Sequence, residues 1–233
     1  ALTNAPDSPL AAAATDVLDL DAGPERSVAA TKTYTSSVLA VAVLAVALGD
    51  PDHEAAYVAD LRGVPAAVAA AVELTTGVDE AAAVLAEPRR GVVVGRGLNL
   101  GTAYEAALKL TELTGSLMAP YSPADLLHGP VAALGPDVPV IALAPDEPAS
   151  ASVLDLAREA DRRGSPVILV GPERMVADAP GATVVLPAAA DVAPWLTPVP
   201  AVIPAQRLAQ RVAEARGVDV DRPGGLSKVT RTT

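Results

Sequence analysis

Three charged side chains raise the question of chemistry first. Glu105, Lys109 and Glu112 fall four and three residues apart, so one face of a helix carries all three. A buried lysine can shed its proton and attack a carbonyl, and a carboxylate beside it can move protons. The order Glu105 then Lys109 is the favourable i,i+4 orientation. By spacing alone the same stripe is also a solvated salt-bridge face, worth about 0.2–0.5 kcal/mol per pair. The pattern leaves both readings open. Lysine usage adds weight to the first. The lysines are Lys32, Lys109 and Lys228 only, and the remaining positive charge is arginine, which does not deprotonate. The two histidines are His53 and His128. His53 follows Asp50-Pro-Asp52 and reads as a surface residue, whereas His128 sits in a tight Leu127-His-Gly-Pro130 turn.

The elements that must hold these groups follow from periodicity. Val92 to Val94 is an apolar β-branched run ending in Gly95-Arg-Gly97. After it, Ala103, Ala106, Leu110 and Leu113 recur at helical intervals, which predicts a helix over 99–117 with that face toward a core. Gly-Arg-Gly resembles a dinucleotide fingerprint, but no acidic residue follows a second strand at the distance that motif needs. The alternation continues: strands at 91–94, 138–144, 166–170 and 182–186, and a helix at 149–163 closed by Gly164. Short apolar strands between helices predict a doubly wound α/β fold, a parallel sheet with helices on both faces.

The remaining segments are read the same way. Residues 1–6 resemble a strand entering a turn, and 16–20 a short strand. Residues 30–48 predict a buried helix capped by Thr31 or Thr33. Residues 54–87 predict helical pieces broken near Gly63-Val-Pro65 and Gly77. Pro198, Pro200 and Pro204 crowd the start of a last helix, which is expected to be regular only from Ile203 to Arg216. The tail from Gly217 is polar and proline-interrupted, the composition of a frayed end.

Composition removes several function classes. The 233 residues contain no cysteine, which excludes disulfides, thiolate catalysis and cysteine metal sites. With His53 and His128 the only histidines, no metal site is expected. A net charge of −11 without a basic patch argues against nucleic-acid binding. No apolar run reads as long and unbroken enough to cross a bilayer; 37–48 comes closest and predicts a core helix. A cytoplasmic location is expected. An acidic chain that handles an anionic substrate needs local compensation, such as a helix N-terminus with a hydroxyl-rich loop.

Several words of the sequence, taken in order, resemble the sugar-isomerase (SIS) family. They are Ser27-Val-Ala-Ala-Thr-Lys-Thr33, Gly95-Arg-Gly97, Glu105-Ala-Ala-Leu-Lys-Leu-Thr-Glu112, Leu127-His-Gly-Pro130 and the tail from Asp219 to Lys228. Together they span nearly the whole chain. Ala30 stands where the family often has serine, and Thr111 where lysine is frequent; neither change removes a catalytic group. The resemblance implies a flavodoxin-like fold in three parts: the C-terminal half of a first module with a helical connection (1–86), a second module (87–217), and a tail over the active site (218–233). It places the family's sugar-phosphate loops upstream of Ala1. It matches no glutaminase half, so glutamine-dependent amination is not expected of these residues.

The same resemblance implies an activity, isomerisation or aminosugar-phosphate deamination on ketose or aminosugar 6-phosphates, with no cofactor. The proton shuttle would be Glu112, with Lys109 stabilising the enediolate oxygen. His128 would open the sugar ring, reaching the neighbouring subunit of a homodimer with a shared site. Lys228 would form a Schiff base with the open-chain ketose. Val28, Glu105 and Ser227 would bind substrate, Glu105 also orienting Lys109. Each residue has a plainer alternative: a salt-bridge stripe for the helix face, a carbonyl cap for His128, a solvated tail for Lys228. A non-catalytic module that senses a sugar phosphate is the rival function. A base, a ring opener and an imine-forming lysine together favour the enzyme, because a sensor needs none of them.

Overall fold

The computed structural model describes residues 1–176, 179, 181–188 and 191–228. The chain begins with β1 (Leu2–Thr3), α1 (Pro9–Ala13) and β2 (Leu18–Asp19). The two short strands pair in parallel. Next come α2 (Lys32–Ala47), α3 (Glu54–Glu73) and α4 (Val78–Val84). The second half alternates: β3 (Arg90–Val94), α5 (Asn99–Thr114), β4 (Leu117–Tyr121), α6 (Pro123–Leu127), β5 (Val140–Leu143) and α7 (Ser150–Arg162). It closes with β6 (Val167–Gly171), α8 (Glu173–Val176), β7 (Val184–Pro187) and α9 (Pro198–Ala215).

Strands β3 to β7 form one parallel sheet in the order β4-β3-β5-β6-β7. Alternate residues of each strand serve opposite faces. Val93, Ile141, Leu143, Ile168 and Val170 pack against α4, α5 and α9. Val92, Val140, Ala142, Val167 and Leu169 pack on the other side, under α6, α7 and α8. This is the doubly wound arrangement expected, with both faces covered. All four core positions assigned to α5 are buried: Ala103, Ala106, Leu110 and Leu113.

One side chain ties three element ends together. Arg216, just past α9, donates to the carbonyls of Leu85 (2.6 Å), Ala86 (3.2 Å), Pro88 (2.9 Å) and Thr114 (2.8 Å), and to Ser116 Oγ (2.7 Å). Its planar fork supplies enough donors to serve carbonyls that the helices leave unpaired.

Five expectations need correction. The helix at 99–117 stops at Thr114, where Gly115 takes a left-handed conformation (φ 68°). Leu117 then opens β4, an edge strand that tolerates Pro120 because an edge needs fewer donors. Helix α3 runs unbroken through Gly63 and Pro65; Val64, Ala67 and Ala71 are buried, and packing outweighs one lost hydrogen bond. Unbroken, the segment Pro51–Glu73 has 23 residues and is long and apolar enough, by length and composition, to cross a bilayer; in this fold it lies along α9. Helix α9 begins at Pro198 rather than Ile203, because first-turn prolines lose only N–H groups without an intrahelical acceptor. Helix α2 is not buried: no residue in it is fully covered, and Val41 and Val43 are 54% and 45% exposed. An apolar composition on every side suggested a core helix, but here one side of it, with Tyr34, Val38, Leu39 and Ala42, packs against α3 and its surroundings.

Candidate active site

The charged face of α5 is positioned by the turn before it. A Cβ on Gly95 would lie 2.2 Å from the Asn99 carbonyl oxygen, so only glycine lets the helix start this close to the end of β3. The chain reverses sheet direction between β3 and β5, the crevice where doubly wound folds bind ligands. Here that crevice holds the protein's own side chains. Buried Asn99 donates to Thr197 Oγ1 (2.9 Å) and Glu147 Oε1 (3.2 Å), and Thr102 donates to Asn99 (3.0 Å). Burial raises the Glu147 carboxyl above its ordinary range, against the Asn99 hydrogen bond.

Ten residues further along α5, Lys109 is only 3% exposed. Its Nζ lies 2.5 Å from Glu112 Oε2 and 3.7 Å from Glu105 Oε1. A charge this buried requires partners. Glu112 is the nearer one, so it holds the ammonium directly and Glu105 acts at longer range. The Glu112 side chain keeps 26% exposure, an open edge on an otherwise covered pair. Glu105 is pushed up to about 7, by burial first; Lys109 pulls it down and Glu112 pushes it further up. Tyr34 of α2 faces Glu105, and burial and that carboxylate together raise the phenol. A cavity of about 530 Å³ opens beside them, walled by Tyr34, Tyr104, Leu108, Thr111 and Met118. Tyr34 was missed in the sequence; its one signal is a lone aromatic in a helix otherwise built of small and aliphatic residues.

The tail forms a second cluster. Lys228 Nζ donates to the Ser27 carbonyl (2.5 Å). The Ser27 hydroxyl donates to the Asp221 carboxylate, and the Val28 N–H donates to the Asp221 carbonyl (3.1 Å). Val218 and Val220 pack on the core, so the tail is anchored up to Lys228 rather than frayed. Ser227 precedes Lys228 on this anchored stretch. Glu25 does the capping expected of Thr31 or Thr33: it accepts from the backbone N–H of Thr31 (3.2 Å) and Thr33 (2.9 Å). Burial pushes this carboxyl up, but the Thr33 and Thr31 bonds and the charge of Lys228 hold it below its ordinary range.

His128 stands apart from both clusters. It ends α6, exposed, with its backbone N–H on the Ala124 carbonyl (3.1 Å). Ser122 starts that helix and bonds both the Asp125 N–H and the Asp125 carboxylate. Within one chain the structure thus joins Glu105, Lys109 and Glu112, joins Val28 to the Ser27–Asp221–Lys228 cluster, and bonds the His128 side chain to neither among the described residues.

A family model described as the SIS domain matches residues 84–203. The chain belongs to the SIS-domain family. The matched segment contains the sheet, α5 and the His128 turn. Among relatives, a glutamine–fructose-6-phosphate aminotransferase (isomerizing) of Synechocystis is 35% identical over 97% of this chain and 37% of its own length. One of Symbiobacterium thermophilum is 36% identical over 98% of this chain and 38% of its own. The chain therefore spans well under half the length of these curated relatives. Among solved structures, the C-terminal domain of the glucosamine-fructose-6-phosphate aminotransferase of Francisella tularensis superimposes with a TM-score of 0.86. It is 28% identical, with 93% of this chain and 62% of that one covered. A glucosamine-6-phosphate deaminase of Thermotoga maritima, 23% identical with 97% of this chain and 65% of that one covered, shares the fold at a TM-score of 0.72.

Proposed function

We propose that this SIS domain moves a proton between adjacent carbons of a ketose or aminosugar 6-phosphate, as an isomerase or an aminosugar-phosphate deaminase. The observation that carries the reading is the Lys109–Glu112 pair: a lysine 3% exposed, bonded at 2.5 Å to a carboxylate that keeps an open edge. Glu112 takes the proton from one carbon and returns it to its neighbour. Lys109 stabilises the negative charge that develops on the enediolate oxygen. Glu105 holds Lys109 from the other side and, with Val28 and Ser227, borders the substrate. Lys228 leaves the Ser27 carbonyl to form an imine with the open-chain ketose, and His128 opens the ring.

The remaining parts of the reading follow from the same site. His128 is exposed and shares no hydrogen bond or ion pair with its own Glu112 among the described residues, which supports a homodimer in which it serves the partner's site. The uncovered apolar surface of α2 supports the assignment of 1–86 to the C-terminal half of a first module plus a helical connection, with 87–217 as the second module and 218–233 as the tail, of which 229–233 lie outside the described residues. The location is cytoplasmic.

The test is solvent exchange of the substrate's C1 or C2 proton with fructose 6-phosphate and glucosamine 6-phosphate, run on the full-length gene product. Glu112→Gln keeps size and loses basicity, so exchange falls by about 10²–10⁴-fold. Lys228→Arg cannot form an imine, so borohydride no longer traps the ketose. Exchange within twofold of the parent in Glu112→Gln refutes the shuttle. Sugar-phosphate binding with no exchange in the parent points instead to the sensing module.

A further inference from the structure

We propose that the cavity behind the Ser27–Thr31 loop is a binding site for a small organic oxyanion, separate from the face that carries Glu112. The cavity holds about 420 Å³. The loop contributes Ser27, Ala29 and Thr31 to it, but not Val28. Val28 does not line the cavity, so the site adjoins the loop without taking in that residue.

Three features define what fits. The floor is apolar, built by Val68 and Val72 of α3, Leu113 of α5 and Ile203 of α9. Gln206 of α9 lines the wall, and its Nε2 is buried with no hydrogen-bond partner among the described residues. Buried amide donors are nearly always paired, because leaving one unmet forfeits its hydration. The third feature is charge. Lys32 and Arg207 line the same cavity, and neither has a carboxylate within ion-pair range among the described residues. Their bonds go to neutral carbonyls, Lys32 Nζ to Pro24 (3.0 Å) and Arg207 Nη1 to Val72 (2.5 Å). Lys32 and Arg207 bring two positive charges to one cavity in a chain whose net charge is −11. The one acid in the wall, Asp221, already accepts from Ser27. An orphan donor and two cations call for an anionic head that only accepts. An apolar floor calls for a carbon body. A carboxylate or a phosphate monoester on a small ring or chain meets both demands.

The site also touches both parts of the tail cluster. Val220 and Asp221 form one wall, and the Asp221 carbonyl holds the Val28 N–H at 3.1 Å. A ligand bridging this wall and the loop steadies Val28 and the stretch leading to Lys228. Resting on the function proposed above, occupancy then raises the affinity for sugar phosphate, and the sugar phosphate raises affinity here by the same factor.

The binding claim is tested on the 233-residue chain, nitrogen-labelled for NMR. Phenyl phosphate and benzoate are titrated, with benzyl alcohol as the neutral control. At least one oxyanion saturates with a Kd below about 1 mM, and benzyl alcohol binds at least tenfold more weakly. The Gln206 side-chain amide resonances move with that oxyanion. Gln206→Leu weakens binding about tenfold, as loss of a hydrogen bond to a charged group does, and Lys32→Gln reduces its salt dependence. The tighter of the two oxyanions names the head group. No saturation by either, equal binding of benzyl alcohol, or binding that leaves the Gln206 amide unmoved overturns the proposal. So does a folded Gln206→Leu within twofold of the parent. If Gln206→Leu does not fold, the Gln206 resonances of the parent decide alone. Glu112→Gln leaves this titration unchanged, so failure of the catalytic reading and failure of this site are told apart.

Discussion

Replacing Glu105 with glutamine should stabilise the protein at alkaline pH and do almost nothing at acid pH. The carboxyl rises from 4.5 to about 7 on folding, chiefly because burial penalises its charge. Below pH 4.5 it is protonated in both the folded and unfolded chains, and it contributes nothing to the pH dependence. Between pH 4.5 and about 7 the unfolded chain gives up this proton while the folded chain keeps it, so stability falls as pH rises. Above about 7 the full deficit is present. A rise of about 2.5 pH units corresponds to roughly 3 kcal/mol at most, and solvent at the exposed edge reduces it toward about 2. Glutamine keeps the shape and does not titrate. Groups facing the site are Lys109 and Glu112 on the same helix and Tyr34 from α2. Lys109 keeps its nearer partner, Glu112, at 2.5 Å. Denaturant titrations of parent and Glu105→Gln at several pH values between about 4 and 8 would measure the difference. It should grow from near zero to roughly 2–3 kcal/mol in favour of the variant, a shift in Tm of roughly 4–12 °C for a chain of this size. A variant less stable than the parent at pH 8 would refute the reasoning. It would mean that attraction between Glu105 and Lys109 outweighs burial, and that the pair is a structural salt bridge.

Three further outcomes are expected. Arg216→Met strands the carbonyls of Leu85, Ala86, Pro88 and Thr114, and should cost about 3 kcal/mol or more in denaturant unfolding. Gly95→Ala forces a Cβ against the Asn99 carbonyl and should lose roughly 2–4 kcal/mol, or move α5, which amide shifts along that helix would report. Glu25→Ala removes the cap of Thr31 and Thr33 and should cost about 1 kcal/mol at neutral pH. Because the Glu25 carboxyl is lowered on folding, its stabilisation is present above about pH 4.5 and is lost as pH falls through the folded value, so the variant should approach the parent in acid.

What the sequence disclosed was mostly local. The i,i+3 and i,i+4 spacing placed Lys109 between Glu112 and Glu105, and the salt bridges formed as the helix geometry required. Continuous apolar runs marked β3, β5 and β6 because strands covered on both faces carry little else. Proline misled in two places. It broke α3 on paper and delayed α9, since each time the cost of a missing N–H depended on packing or position in the helix that the sequence alone does not show, while β4 was missed because the helix pattern was carried on to Leu117. Long-range pairings left no trace at all. Nothing in the tail's composition announces that Asp221 meets Ser27 or that Lys228 meets its carbonyl, and Glu25 displaced the nearer threonines as a cap by reaching across a loop. The exposure of α2 was equally invisible, because an apolar stretch looks the same whether its own chain or something else covers it.

Pro120, inside β4, has a consequence for the whole sheet. The sheet ends on β4 at one side and β7 at the other, and each of these carries a proline, Pro120 and Pro187. The rim of a sheet normally presents a row of donors and acceptors on which a foreign strand can template itself. A proline deletes a donor from that row and holds its own backbone to one narrow angle. The sheet is thus guarded against growth at both margins. When copies of this chain misassemble on heating or at high concentration, the contacts should be helix to helix through surfaces such as α2, giving amorphous clusters rather than cross-β fibrils, and thioflavin fluorescence should stay flat while turbidity rises.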